Sequence, residues 1–430
     1  MQRKKEIGIF VFEVPDRYAT GIKYTRIMEF NVVLQKRYSC RAFDSTPVEK
    51  EKADRILEAG RIAPMHGLRK ALKEIVSFML AGLFFIGCTR PLQMLVGTYT
   101  ENTSAEGVYL YSFNPRSAEA KLLSVAPSGN PSFVISAGDR AYAVNEFNDG
   151  RQGVSSFTLK GNSISPLNSV LIPSDKVPGE DPCNILFTGK AVLTSNYTGG
   201  SVTAFPIADD GSLGEMSDFY VPEKKPEPAH MHCAVESPDG KYIFVTNLGM
   251  DCIHRFARLE GEQPFGESAI AWKNQDTLKY GPRHMVFSAD GRFAYLLCEL
   301  GDKLVVFSYD DGCLTPVQNL TAYDGQGKGS ADIHLSPDGR FLYTSHRLKK
   351  DGIAILSVNH TDGLVQKTSY QPTGKHPRNF AITPDGRYLL CACRDDNCIE
   401  VYSINKETGA LSSTGKTIQV GAPVCIQFID

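Results

Sequence analysis

One phrase recurs along the greater part of the chain: an apolar strand, a Ser-Pro-Asp-Gly turn or a close variant of it, and a second apolar strand. It is read at residues 233–240, 285–291, 333–339 and 380–386. Asp-Gly between two apolar runs is a hairpin signature, because glycine reaches the positive φ that a tight turn between twisted strands requires. Degenerate copies lie at 131–146 and 182–197, and a last first-strand lies at 422–428. The seven units are spaced about 46 to 52 residues apart, a period that fits propeller blades of four strands and exceeds that of ankyrin or tetratricopeptide arrays.

The last unit keeps one strand at the C-terminus, while residues 94–113, with Leu95-Val96-Gly97-Thr98-Tyr99 and Val108-Tyr109-Leu110-Tyr111, supply strands ahead of the first. The two ends can therefore share a blade, which removes the open edges of a linear array. At 430 residues the chain is longer than the ~250–300 over which one core keeps growing, so a fold that divides its core is required. The predicted fold class is all-β: a seven-bladed β-propeller over residues 94–430, closed by N- and C-terminal strands, behind a short helical N-terminal extension.

Charge and cysteine content narrow the function classes. A formal net charge of -2 gives no basic field for a nucleic-acid partner and no acidic one for a cationic partner. The 11 cysteines are odd in number and scattered, and Cys183, Cys233, Cys298, Cys391 and Cys393 fall in apolar strand-like runs, so they read as buried thiols. No CxxC pair stands at zinc spacing, and no metal or other cofactor is expected in the propeller. Monomer is the default state.

Aligned on the Asp-Gly turn, the units place His232, Arg283 and Arg378 at one equivalent position, with Ala331 as the fourth member. Leu248, Glu299, Arg347 and Arg394 share a second. Residues just before the first strand and just after the second lie at the end of a hairpin opposite its turn, so both sets share one face of the disc. With the first strand innermost, the first set rings the mouth of the central channel. Arginines there suit an anionic substrate, and histidine or glutamate suits proton transfer to or from water. The alternatives are a core role for His232, bracing of adjacent blades by Arg283 and Arg378, and simple pairing of Glu299 with one of them. His230 and His334 fit inward strand positions, and His230 is kept as a substrate-contact candidate. The glycine-rich 325–329 lacks the Gly-Lys-Ser/Thr ending of a phosphate loop and reads as a connection.

The phrases Pro228-Ala229-His230-Met231-His232, Gly281-Pro282-Arg283-His284-Met285, Ala331-Asp332-Ile333-His334-Leu335-Ser336-Pro337-Asp338-Gly339-Arg340 and Asn196-Tyr197-Thr198-Gly199-Gly200 resemble those of the seven-bladed lactonase family. The resemblance covers residues 94–430. That family includes 6-phosphogluconolactonases and fungal carboxymuconate cycloisomerases and uses no metal. It implies hydrolysis of a sugar lactone, most simply 6-phosphogluconolactone, with His232, Glu299 and Arg283 as catalytic residues and Arg347, Arg378 and His230 binding substrate. On motif matching, the histidine, two arginines and glutamate implicated in the cycloisomerases fall at His232, Arg283, Arg347 and Glu299. Cys298 and His346 stand where the family has Asn. The rival functions are a lactonising cycloisomerase acting on a muconate-like diacid and a non-catalytic propeller that binds a ligand through the same rim.

The first part of the chain reads differently. Residues 49–62 carry helical periodicity behind Ser45, Thr46 and Pro47. Residues 28–64, with Arg37-Tyr38-Ser39-Cys40-Arg41, resemble the opening of nitroreductase-family flavoproteins, whose Arg-x-Ser-x-Arg helps hold the flavin phosphate. The piece is too short to bury a cofactor, so 1–64 reads as a nitroreductase-like fragment. Over 65–93 come Arg69, Lys70 and Lys73, an apolar run from 75 to 86, and then Gly87-Cys88, the order of a secretory leader. Phe85-Ile86-Gly87-Cys88 resembles a bacterial lipobox, which makes Cys88 the candidate lipid-anchor residue and Met65 the start of the leader. The family points to the cytoplasm, and a used leader points to a membrane-anchored periplasmic protein.

Overall fold

The computed structural model describes residues 91–223, 227–323 and 328–429, together with the two strands Gly8–Phe12 and Tyr24–Glu29. The chain divides into Met1–Cys88 and Thr89–Asp430. In the first unit the two strands pair antiparallel with Gly8 opposite Glu29. The helix expected at 49–62, the Arg37-to-Arg41 motif and the leader through Cys88 all lie outside the described residues.

In the second unit seven four-stranded antiparallel sheets follow one another. The first strand of each touches the first strand of the next in an unbroken ring: Val134–Ala137, Pro182–Phe187, Met231–Glu236, Pro282–Phe287, Ser330–Leu335, Pro377–Ile382 and Pro423–Phe428. These inner strands begin blades 1 to 7 in that order. Blade 7 is completed from the other end of the propeller, where Leu92–Thr98 pairs with Pro423–Phe428 and sets Met94 opposite Phe428. The closed seven-bladed architecture is the one the repeat predicts.

The second strands are apolar runs because both faces of each sheet are covered by neighbouring blades. Ala191–Asn196, Phe293–Cys298 and Phe341–His346 are buried along their whole length. Seven hydrophobic clusters fill the seven gaps between blades, such as Tyr295 and Leu304 against Leu342 and Ala354 in one, and Leu95 and Leu110 against Ala141 and Phe157 in another. The core is thus divided into seven pieces, each of a size one domain can pack. The described cysteines are free thiols, all buried except Cys313.

The Asp-Gly turns are built alike. Ser336 Oγ donates to Asp338 Oδ1 at 2.7 Å, which also accepts the Arg340 N–H at 3.1 Å, while Arg340 Nε donates to Oδ2 at 2.9 Å. Gly339 closes the turn at φ 72°. Ser288 with Asp290 and Thr383 with Asp385 repeat the pattern. The turns also join blades: Arg340 Nη2 donates to Lys406 O at 2.5 Å, and Tyr343 donates its hydroxyl to Gly409 O at 2.9 Å in blade 6. Replacing Asp338 with Ala leaves the Ser336 hydroxyl and the Arg340 N–H without their acceptor. Urea unfolding is expected to show a loss of about 1–2 kcal/mol, whereas Glu407→Ala, at an exposed carboxylate, stays within about 0.5 kcal/mol.

Candidate active site

The inner strands carry, at the end of each hairpin opposite its turn, residues that the sheet ladders leave over. In blades 2, 3, 4 and 6 the inner strand skips one residue in its pairing, between Pro182 and Asn184, Met231 and Cys233, Pro282 and His284, and Pro377 and Asn379. The skipped residues are Cys183, His232, Arg283 and Arg378. In blade 5 the irregularity falls between Ser330 and Ile333 and takes in Ala331. A bulge of this kind turns its extra side chain out of the ladder's alternation, which is how an inner strand can aim a polar group. The bulge at Arg283 is pinned by its neighbour, since Thr246 of blade 3 donates its hydroxyl to Arg283 O at 2.7 Å.

A second ring comes from the residue after each second strand. The N–H groups of Tyr99, Glu146, Tyr197, Leu248, Glu299, Arg347 and Arg394 donate to Ala422 O, Asn130 O, Asp181 O, His230 O, Gly281 O, Gly329 O and His376 O, one bond per blade. The sequence alignment recovers four of these seven. Tyr99, Glu146 and Tyr197 belong to blades without the Asp-Gly turn, and their only signal is the polar residue that ends each apolar run, Thr98, Asn145 and Asn196.

The arginines and carboxylates of the two rings interlock. Arg283, 2% exposed, donates from Nε to Glu299 Oε2 at 2.8 Å, and its Nη1 donates to Ala331 O. Arg347 Nη2 lies 2.9 Å from Glu299 Oε1, with Nε directed to Gly329 O and Nη1 3.3 Å from His376 Nε2. Burial opposes ionisation of Glu299, but Arg347, Arg283 and Arg378 hold its carboxyl below the usual range. Burial and the neighbouring Arg283 bring Arg347 down to about 9, which leaves it cationic at neutral pH. Arg378 is placed differently. Its guanidinium lies 5.4 Å from the centre of the Tyr99 ring and 3.7 Å from Glu146 Oε1, and no hydrogen bond commits its donors to another described residue.

His232 is 4% exposed, and its Nδ1 is buried without a hydrogen-bond partner among the described residues. Its ring meets Tyr197 and His284 edge to face at centroid distances of 5.7 and 5.1 Å. Burial, followed by Arg283, His284, Arg378 and Arg347, holds the imidazole well below its ordinary pKa, so it is neutral at pH 7. Both carboxylate oxygens of Glu299 are turned to arginines. His230 stands beside the ring, stacked on Tyr197 at 4.6 Å with Nδ1 2.8 Å from Tyr197 O. Cys298 is fully buried, and His346 bonds to Ser330 and Thr344 of its own blade.

Behind His232, Asp332 ties three inner strands together. Its carboxylate meets His284 Nδ1 at 2.8 Å and His334 Nε2 at 2.9 Å, and accepts from Asn379 Nδ2 at 2.6 Å and the Phe380 N–H at 3.2 Å. Burial works against the anion, yet His334 and His284 keep Asp332 well below the ordinary carboxylate range. His284 falls to about 4 through burial and Arg283, against the pull of Asp332. Among the described residues no group of three or more His, Cys, Asp or Glu side chains is arranged to hold a metal ion. Because its folded pKa is depressed, Asp332 contributes stability that is present above about pH 4 and lost as pH falls further. Asp332→Asn is expected to lower unfolding free energy at pH 7 by about 3 kcal/mol, with the difference from wild type shrinking in urea titrations toward pH 3.

A family model described as a seven-bladed β-propeller lactonase matches residues 93–428, and a nitroreductase family model matches residues 34–76. The chain is 32% identical over 356 residues to 6-phosphogluconolactonase from Formosa agariphila, covering 78% of this chain and 99% of that protein. It is 30% identical to 6-phosphogluconolactonase from Bacillus subtilis, covering 78% of this chain and 97% of that one. Among solved structures, the periplasmic gluconolactonase of Pseudomonas aeruginosa superposes with a TM-score of 0.73 at 29% identity, covering 79% of this chain and 99% of that chain.

Proposed function

The chain belongs to the seven-bladed β-propeller lactonase family and is a lactone hydrolase, and we propose that it opens 6-phosphogluconolactone, with His232 as the base. The observation that carries this reading is the Nδ1 of a neutral imidazole, buried among three arginines and without a hydrogen-bond partner among the described residues. A neutral imidazole accepts a proton from water as the oxygen adds to the lactone carbonyl. The carbonyl oxygen takes up negative charge, which the cationic mouth stabilises in a site poor in water. Collapse of the tetrahedral intermediate breaks the bond from the carbonyl carbon to the ring oxygen, which leaves as a hydroxyl after taking the proton back from His232.

The arginines divide the remaining work. Arg283 and Arg347 are engaged with Glu299 and supply a fixed positive field. Arg378, with donors uncommitted, is the residue fitted to grip phosphate or the developing oxyanion in a bidentate manner. Glu299 acts as their anchor, and His230 positions Tyr197 at the rim. A leader ending at Cys88 would bring the enzyme to a compartment outside the cytoplasm, and there unphosphorylated gluconolactone, named in the Pseudomonas relative, is the corresponding substrate.

Purified protein is expected to hydrolyse 6-phosphogluconolactone well above its spontaneous opening, and His232→Ala to lose about 10²–10⁴-fold in kcat. No rate above background on either lactone, from folded wild type, would point to the cycloisomerase or the binding propeller. Arg378→Ala should cut kcat/KM on both lactones by about tenfold or more. A base must be unprotonated to act, and the free-enzyme pKa of His232 is depressed. Its kcat/KM should therefore hold a plateau from pH 8 down through 6.5 and fall only in more acidic buffer. An acid limb centred at or above pH 6.5 would exclude His232 as the base.

A further inference from the structure

Two carboxylates stand in the second ring, and they differ in what they remain able to do. Both oxygens of Glu299 are taken by Arg283 and Arg347. Glu146, the equivalent residue of blade 1, is engaged on one side only. The Tyr99 hydroxyl donates to Glu146 Oε1 at 2.8 Å, and Arg378 Nη2 lies 3.7 Å from the same atom. Glu146 Oε2 is shut off from bulk solvent and has no hydrogen-bond partner among the described residues.

The main chain at Glu146 is held on both sides. The Glu146 N–H donates to Asn130 O at 3.0 Å, and Asn130 Nδ2 donates back to Glu146 O at 3.1 Å. Burial raises the pKa of Tyr99, so its hydroxyl keeps its proton and stays a donor to Oε1. A carboxylate oxygen offers acceptor sites alone, and a buried one without a donor is among the more costly arrangements a protein can keep. Beside it lies Arg378, whose uncommitted guanidinium offers donors alone. The pair is complementary to a ligand that carries a hydroxyl next to a carbonyl or carboxylate.

We infer that Glu146 is a specificity-determining residue: its Oε2 accepts a hydrogen bond from a ring hydroxyl of the lactone while Arg378 donates to the adjacent carbonyl or carboxylate oxygen. The site is thereby selective for hydroxylated lactones over bare ones. This rests on the lactonase function proposed above and adds the substrate group that is read. With an unsubstituted ring Oε2 stays unpaired, which is the situation in which a polar site rejects an analogue most strongly.

The test compares glucono-δ-lactone with δ-valerolactone, which lacks the hydroxyls, for wild type, Glu146→Gln and Glu146→Ala, with spontaneous opening subtracted. The wild type is expected to prefer the hydroxylated lactone. Glu146→Ala should cut that preference, as a ratio of kcat/KM, by about tenfold or more, mainly through KM. An unchanged ratio, or equal losses on both lactones, would overturn the inference and leave Glu146 as a wall of the mouth. Thermal unfolding checks that each variant folds, and the near-isosteric Gln carries the measurement if Ala does not. Calorimetric binding of gluconate separates this inference from the reading it rests on. Weaker binding by Glu146→Gln supports it even where no lactone is turned over, in which case the catalytic proposal alone falls; equal binding overturns it.

Discussion

The pairing of Pro423–Phe428 with Leu92–Thr98 holds the rest of the molecule in register. Seven interblade clusters require seven interfaces, and the one between blades 7 and 1 exists only because the two ends of the propeller share a sheet. Closure also fixes the convergence of the inner strands. Residues from blades nearly 300 positions apart in sequence, such as Val134 and Cys425, are brought into hydrogen-bond contact beside the channel. The positions of His232, Arg283 and Arg378 are therefore set by the circumference of the whole ring, and no single blade could hold them.

Within that ring the electrostatics are prepaid at the folding step. Three buried arginines could not stand together without anions, and Glu299 and Glu146 interleave with them. The cost of desolvating these groups is met when the blades pack, so no reorganisation is needed as charge develops on a substrate. His232 shares that setting and stays neutral because of it. The Asp332 network sits one residue further along the inner strands and ties blades 4, 5 and 6 behind the imidazole, giving His232 a firm wall without a hydrogen bond to its Nδ1.

How much of this was legible in the sequence depended on a single turn. Where Asp-Gly is present, in blades 3 to 6, the alignment identifies His232, Arg283, Ala331 and Arg378 as equivalent, and the structure puts them at equivalent places. Blades 1, 2 and 7 lack the turn, so Tyr99, Glu146 and Tyr197 could not be aligned although they occupy the same ring. The direction of side chains was not legible either. Glu299, read from sequence as a proton-transfer candidate or a partner of one arginine, reaches sideways to two arginines, and only the closed ring shows both within reach. Cys298 and His346, departures from the family pattern, are taken up by packing and by hydrogen bonds inside their own blades.

The bulges have a consequence for how such a protein can change. A residue that belongs to no rung of the ladder can be exchanged without disturbing the rungs, and the inner ring has positions of this kind that carry small, chemically quiet side chains, Cys183 and Ala331 among them. New chemistry can be tried in the inner ring one blade at a time without removing a ladder hydrogen bond, so a single architecture can pass between lactones, or away from them, by small moves.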